Sequence, residues 1–190
     1  MVEKRRETKE TKIVLRLDIE GSGESKISTG VGFFDHMLES FSKHALFDLE
    51  VECEGDTHVD DHHTVEDVGI VLGQALNEAV YPLQRVERFG DAVVVMDETA
   101  VACAMDLSNR PFLVYEIDIE GKVGRFDVEL AEEFFRALTF NASFTVHMEA
   151  LRGKNRHHIV EAAFKSYAVA LRRALAPNPK AGVPSTKGVL

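Results

Sequence analysis

The chain has 190 residues, 45 % hydrophobic and 28 % charged, enough for one ordinary domain or two small half-domains sharing a core. Its formal net charge of −10 argues against a nucleic-acid partner, whose phosphates are held mostly by Lys and Arg. No apolar run approaches the roughly 20 residues of a membrane span, and the charged start Met1-Val2-Glu3-Lys4-Arg5-Arg6-Glu7 leads into no apolar stretch, so no membrane partner and no secretory signal are expected and the location follows as cytoplasmic.

In chain order, the first ten residues form a charged segment that composition reads as disordered. Residues 11–19 alternate apolar and polar side chains and predict a strand, with Gly21-Ser22-Gly23 as the turn after it. Residues 33–47 carry a helical pattern with Phe34, Met37, Leu38, Phe41 and Ala45 near one face. A short strand over 47–53 follows. Asp60 and Asp61 offer N-caps for a long helix reaching about residue 81, striped by Val65, Val68, Leu72, Leu76 and Ala79 and closed by Pro82. Strands are then predicted over 92–96, 101–107 and 112–119, a helix over about 128–141, a strand over 143–149 and a last helix over 157–176. The tail from Pro177 to Leu190, rich in Pro, Gly and Lys, reads as irregular. Cys53 and Cys103 lie singly in strand-like stretches, so neither a disulfide nor a cysteine zinc site is expected.

The order of elements repeats, and so do the residues. Laying residues 62–80 (HHTVEDVGIVLGQALNEAV) over 157–175 (HHIVEAAFKSYAVALRRAL) gives seven identities in nineteen without a gap. Small and apolar matches could come from any two amphipathic helices. The shared block His-His-x-Val-Glu could not, because helix formation makes no demand for it. Duplication is the economical explanation, and the expected fold class is α+β: two similar halves, 1–88 and 89–190, each a sheet with two helices on one face.

On a helix, His62 and Glu66 share a face at i and i+4, as do His63 and Glu66 at i and i+3, whereas adjacent histidines point about 100° apart. The pair therefore does not easily serve one ion together with that Glu. It can serve two ions, or one here and one in a neighbouring copy. With His157, His158 and Glu161 the chain holds four imidazoles and two carboxylates at helix starts, a donor set suited to zinc, manganese, iron or nickel. His36 lies on a helix 26 residues before His62, and its counterpart 24 residues before His157 is Glu133. Each half can thus offer two His, one Glu and one further donor.

Gly32-Phe33-Phe34-Asp35-His36-Met37-Leu38, the runs 60–67 (DDHHTVED) and 157–162 (HHIVEA), the tail Pro184-Ser185-Thr186-Lys187-Gly188 and the opening Arg6-x-Thr8-x-Glu10-Thr11 together resemble the imidazoleglycerol-phosphate dehydratase family. The similarity runs in order over about residues 3–190. It implies a duplicated half-domain with four-stranded sheets, like the second domain of ribosomal protein S5. It also implies a homo-oligomer, a 24-subunit shell with two Mn2+ ions per active site and sites completed by neighbouring subunits. The implied metal ligands are His36, His62, His63, Glu66, Glu133, His157, His158 and Glu161, with Glu133 standing where many members carry His. Glu10 is implied as the acid/base, and with it His36, His44, Arg88, Arg110, Lys165, Ser185, Thr186 and Lys187 as substrate contacts. Arg gives a phosphate bidentate hydrogen bonds, and a Ser-Thr-Lys tail can close over it.

The implied reaction is the dehydration of imidazole-glycerol phosphate to imidazole-acetol phosphate in histidine biosynthesis, with no organic cofactor. It runs through a metal-bound imidazolate and a diazafulvene-like intermediate, with Glu10 taking the C2 proton and the helix motifs His62, Glu66, His157 and Glu161 at the catalytic metals. Two other classes would use similar residues. A two-metal hydrolase would hydrolyse a glycerol-phosphate analogue rather than dehydrate it. A metal store would have no reason for Glu10, Arg88, Arg110 and Lys187.

Overall fold

The computed structural model describes residues 1–81, 83–182 and 185. The first half consists of β1 (Val2–Glu7), β2 (Thr11–Asp18), β3 (Ser25–Ser28), α1 (Gly32–Ala45), β4 (Asp48–Gly55) and α2 (His62–Val80). The second consists of β5 (Phe89–Met96), β6 (Thr99–Asp106), β7 (Phe112–Glu116), β8 (Lys122–Val123), β9 (Phe126–Asp127), α3 (Leu130–Ala142), β10 (Thr145–Arg152) and α4 (Arg156–Ala174). The strand order is β1-β2-β4-β3 in one sheet and β5-β6-β10-β7 in the other. In each, the last-named strand runs parallel to its neighbour and the rest pair antiparallel. The expected duplicated α+β architecture is therefore present, with the short β8–β9 hairpin added to the second half.

Period-two alternation explains the strands. In β2 and β4, Ile13, Leu15, Leu17, Leu49, Val51 and Cys53 all point into the core. The helices cover those inner faces and pair across the halves: α1 lies beside α4, and α2 beside α3. Both pairs run parallel. His36 and Phe41 of α1 sit beside Glu161 and Tyr167 of α4, and Gly69 and Gly73 of α2 face Phe134 and Leu138 of α3. One continuous core results, with Phe34 edge-on to Phe134 at a centroid distance of 5.3 Å and Phe134 stacked on Phe164 at 5.0 Å. Among the described residues, no helix is long and apolar enough to cross a membrane.

Several elements depart from the expectation for local reasons. The first residues are not disordered: β1 has no apolar alternation, and its register comes from backbone pairing with β2. β3 and the β8–β9 hairpin are too short and polar to show a period. β7 stops at Glu116; Ile117 and Ile119 continue into the core without ladder partners. At the start of α2 the Asp60 carboxylate accepts the His62 N–H at 2.9 Å, while Asp61 makes no side-chain cap bond. Asn155 caps α4, accepting from the N–H groups of His157 and His158. Tyr81 after α2 is extended, as a residue preceding proline must be, and Pro82 lies outside the described residues.

Candidate active site

Because the helix pairs are parallel, the motif-bearing starts of α1 and α4 lie together. His36, His157 and Glu161 each present a donor atom, all within 4.8 Å of one another. His157 Nε2 is 3.0 Å from Glu161 Oε2, and His36 Nε2 is 3.8 Å from the same oxygen. Chain position groups His36 with His62 in the first half. The fold instead places it against the second motif, since α1 pairs with α4.

Glu161 is almost fully buried, and burial alone would raise its pKa. The Lys165 ammonium 2.7 Å away, with His157 and His36, reverses this and holds the carboxyl below its ordinary range. Two imidazoles and an ionised carboxylate converging in this way fit a divalent transition ion. Lys165, one turn along α4, faces Glu161 rather than open solvent.

The first motif is more open. His62 Nε2 stands 3.8 Å from Glu66 Oε2, and both side chains are more than two-fifths exposed. Glu133, expected as a further donor, lies 4.0 Å from Arg136 on its own helix and does not join a three-donor cluster among the described residues.

The inner histidines turn away from the Glu of their own motif. His63 Nδ1 approaches Asp56 Oδ2 at 3.0 Å, and its Nε2 is 3.8 Å from Glu10. Asp56 raises the His63 pKa. His158 Nδ1 approaches Glu98 Oε2 at 2.9 Å, and its Nε2 is 3.9 Å from Asp97. Bonds from the backbone N–H of Asn155, from His158 and from the N–H of Lys154 push the Glu98 carboxyl far below the ordinary range. Asp56, Asp97 and Glu98 were not among the residues the sequence singled out; Asp56 follows β4 and Asp97 and Glu98 share the β5–β6 turn, with no helical spacing to reveal them.

Glu10 sits in the β1–β2 turn. The Thr8 hydroxyl accepts the N–H groups of Glu10 and Thr11, and the Glu10 carbonyl accepts from Asp56 N–H. Arg6 bonds Asp67 of α2 at 2.9 Å, and Thr11 donates to the same carboxylate, so the hairpin is tied to the helix carrying His62 and His63. The opening motif thus builds the support for Glu10.

Two of the cationic side chains expected to contact the substrate, Arg88 and Arg110, fall elsewhere. Arg88, at φ 68°, forms a fork onto Asp106 at 2.6 and 3.0 Å, and its backbone N–H donates to the Ala174 carbonyl at the far end of α4. Arg110 lies exposed in the β6–β7 loop, where the neighbouring Asn109 N–H donates to the Tyr81 hydroxyl just past the end of α2. From His157 to Ala174 is a helix of roughly 25 Å. Within one chain, Arg88 and Arg110 are therefore at the opposite end of the helix layer from the histidines. His44 lies between them on α1, its pKa lowered by burial and by Lys165 and Arg172. Ser185 is described in the tail; Thr186 and Lys187 lie outside the described residues.

The family described as imidazoleglycerol-phosphate dehydratase matches residues 29–171. The chain belongs to this family. It is 67 % identical over 190 residues, the whole of both chains, to the imidazoleglycerol-phosphate dehydratase of a Sulfurovum species. It is 66 % identical, again over both full chains, to that of a Nitratiruptor species. Among solved structures it is similar to the Staphylococcus aureus dehydratase, with TM-score 0.83, 41 % identity and coverage of 93 % of this chain and 98 % of that one. The Pyrococcus furiosus enzyme in complex with (S)-C348 gives TM-score 0.85 and 38 % identity, covering 98 % of this chain and all of that one. The chain is accordingly a hydro-lyase that dehydrates imidazoleglycerol phosphate in histidine biosynthesis.

Proposed function

We propose that this dehydration is metal-dependent, with two divalent ions, Mn2+ by preference, and no organic cofactor. The observation that carries the reading is the convergence of His36, His157 and Glu161 within one 4.8 Å cluster. His62, His63, Glu66, Glu133 and His158 are the remaining ligands of the set. Bound there, the ions would supply Lewis acidity toward the substrate's imidazole ring, worth several kcal/mol of charge stabilisation.

Glu10 is the base. Its carboxylate takes the proton from C2, the C3 hydroxyl leaves with a proton as water, and the resulting enol tautomerises to imidazole-acetol phosphate. Bonds from Thr8, Arg6 and Thr11 tie the Glu10 turn to the helix carrying His63, whose Nε2 lies 3.8 Å from the Glu10 carboxylate. Lys165 keeps Glu161 ionised and thus competent as a donor. Arg88, Arg110, His44, Ser185, Thr186 and Lys187 make the substrate contacts, the phosphate among them.

The division of these residues between the two ends of the helix layer supports sites completed by neighbouring copies; the homo-oligomer of 24 subunits and the cytoplasmic location are carried by the family resemblance alone. A substrate with one ring and three carbons cannot span roughly 25 Å of helix. The outer face of the second sheet also exposes Phe89, Val93, Val95 and Phe112, apolar area of the kind subunit contacts cover. Metal removal tests the reading. Chelation should abolish turnover and loosen the assembly in light scattering, and Mn2+ should restore both better than Mg2+. Full turnover by the metal-free protein, or by a monomer, contradicts it.

A further inference from the structure

Adjacent histidines in the two motifs make different contacts, and the inner member of each pair makes the same kind in both halves. His63 Nδ1 is 3.0 and 3.2 Å from the two Asp56 oxygens, and His158 Nδ1 is 2.9 Å from Glu98 Oε2. An ionised carboxylate only accepts, so the hydrogen in each pair sits on Nδ1. A neutral imidazole protonated there carries its lone pair on Nε2.

The partners are not a product of the duplication. Asp56 follows β4, six residues before His62, and the position six before His157 is Leu151. Glu98 comes instead from the β5–β6 turn. Two unrelated elements deliver a carboxylate to the same ring nitrogen. A merely solvated face would not need that. Glu98 is fixed on its other side as well: Oε1 accepts the N–H groups of Lys154 and Asn155 at 3.1 and 2.8 Å and the Thr99 hydroxyl at 3.1 Å.

We propose that Asp56 and Glu98 are positioning residues that lock His63 and His158 in the tautomer whose Nε2 is the metal donor. This rests on the metal-dependent reading above. It adds that each motif has its own carboxylate–histidine relay, whose loss weakens one ion without touching the substrate.

The sharp variants are Glu98→Gln and Asp56→Asn, which keep shape and remove the charge. In Glu98→Gln the amide oxygen stays with the Lys154 and Asn155 N–H groups, so the NH2 group faces Nδ1. A donor there forces the imidazole hydrogen onto Nε2 and removes the metal lone pair. Mn2+ binding is titrated by the EPR signal of the free ion, beside melting of the metal-free protein.

Each variant should melt like the native metal-free protein yet hold one Mn2+ equivalent about 10- to 100-fold more weakly. Asp56→Glu and Glu98→Asp should recover part of that loss. Native-like Mn2+ binding in both amide variants overturns the proposal. So does weak binding accompanied by a lower melting temperature in both, which makes the carboxylates structural. If only Glu98→Gln melts lower, through its bonds to the Lys154 and Asn155 N–H groups ahead of α4, Asp56→Asn decides alone. Failure of the unsubstituted protein to bind Mn2+ removes the metal reading itself, a separate outcome.

Discussion

The two His-His-x-x-Glu motifs share a sequence and differ in surroundings. In the second, Glu161 is 8 % exposed and held by His157, His36 and Lys165. In the first, Glu66 is 45 % exposed and 3.8 Å from His62, and position 133 offers a carboxylate turned to Arg136. The difference follows from the third donor. α1 brings the His36 imidazole to 3.8 Å from Glu161, whereas position 133 on α3 carries a carboxylate that lies 4.0 Å from the arginine of its own helix. The motif's spacing makes a pair, and the partner helix decides whether a cluster forms before an ion arrives.

The largest expected effect comes from breaking the closed cluster. His157→Ala should lower kcat by roughly three decades or more, since several kcal/mol of charge stabilisation convert at about 1.4 kcal/mol per decade. His58→Ala, outside both repeats, should leave kcat unchanged. His62→Ala sharpens the comparison. A loss like that of His157→Ala means another copy completes the open motif, and a result like that of His58→Ala makes it a spectator. Steady-state kinetics on the three variants distinguish these.

Glu10→Gln comes next. It keeps size and hydrogen bonding but cannot accept the proton, so kcat should fall by about two to four decades while substrate and metal binding stay near native. Wild-type turnover would remove Glu10 from the chemistry; lost binding with intact turnover would make it a positioning residue.

A smaller effect separates the helix pairs. A Cβ on Gly73 would stand 2.6 Å from the Leu138 carbonyl and 3.1 Å from the Ala142 nitrogen, both backbone, so α2 and α3 meet at a separation only glycine permits. The repeat places Ala168 at the matching position of α4. Gly73→Ala should cost about 1–3 kcal/mol despite alanine's better helix propensity. Ala168→Gly should cost about 1 kcal/mol, chiefly through propensity. Urea midpoints of the metal-free proteins provide the test, and equal losses would show that the halves pack alike.

The smallest effect is electrostatic. Burial, Lys165, Arg172 and Lys43 keep His44 below the ordinary histidine value of about 6.5, with Glu161 opposing them. The unfolded chain therefore takes up this proton first as pH falls. The contribution of His44 is complete above about 6.5 and is lost as pH drops through its depressed value. His44→Gln should flatten that part of the pH–stability curve, seen as a smaller native-minus-variant difference at pH 5.5 than at 7.5. His63, shifted upward, runs in the opposite sense and cancels in the difference.

Much of the molecule is legible in its sequence because its determinants are local or repeated. Alternation in β2 and β4 and the apolar stripe of α2 follow from one-face burial. The duplicated block exposed the two-fold plan and the histidines together. The segment carrying Glu10 was legible only as a motif, because what orders β1 is the neighbouring strand and what anchors its turn is Asp67, 56 residues away from Thr11. Asp56, Asp97 and Glu98 left no signal, since carboxylates in turns read as solvation until their partners are known.

The sequence by itself determined the two halves, their elements and the donor types, because hydrophobic period and residue chemistry are carried by neighbours in the chain. Only the tertiary structure decided that His36 belongs with His157, that Arg88 and Arg110 stand at the other end of the helices, and which ring nitrogen of His63 and His158 meets a carboxylate. Those facts depend on which helix packs against which. That choice is made by the shared core of Phe34, Phe134 and Phe164 and by the close α2–α3 contact at Gly69 and Gly73, long-range packing that no local pattern encodes.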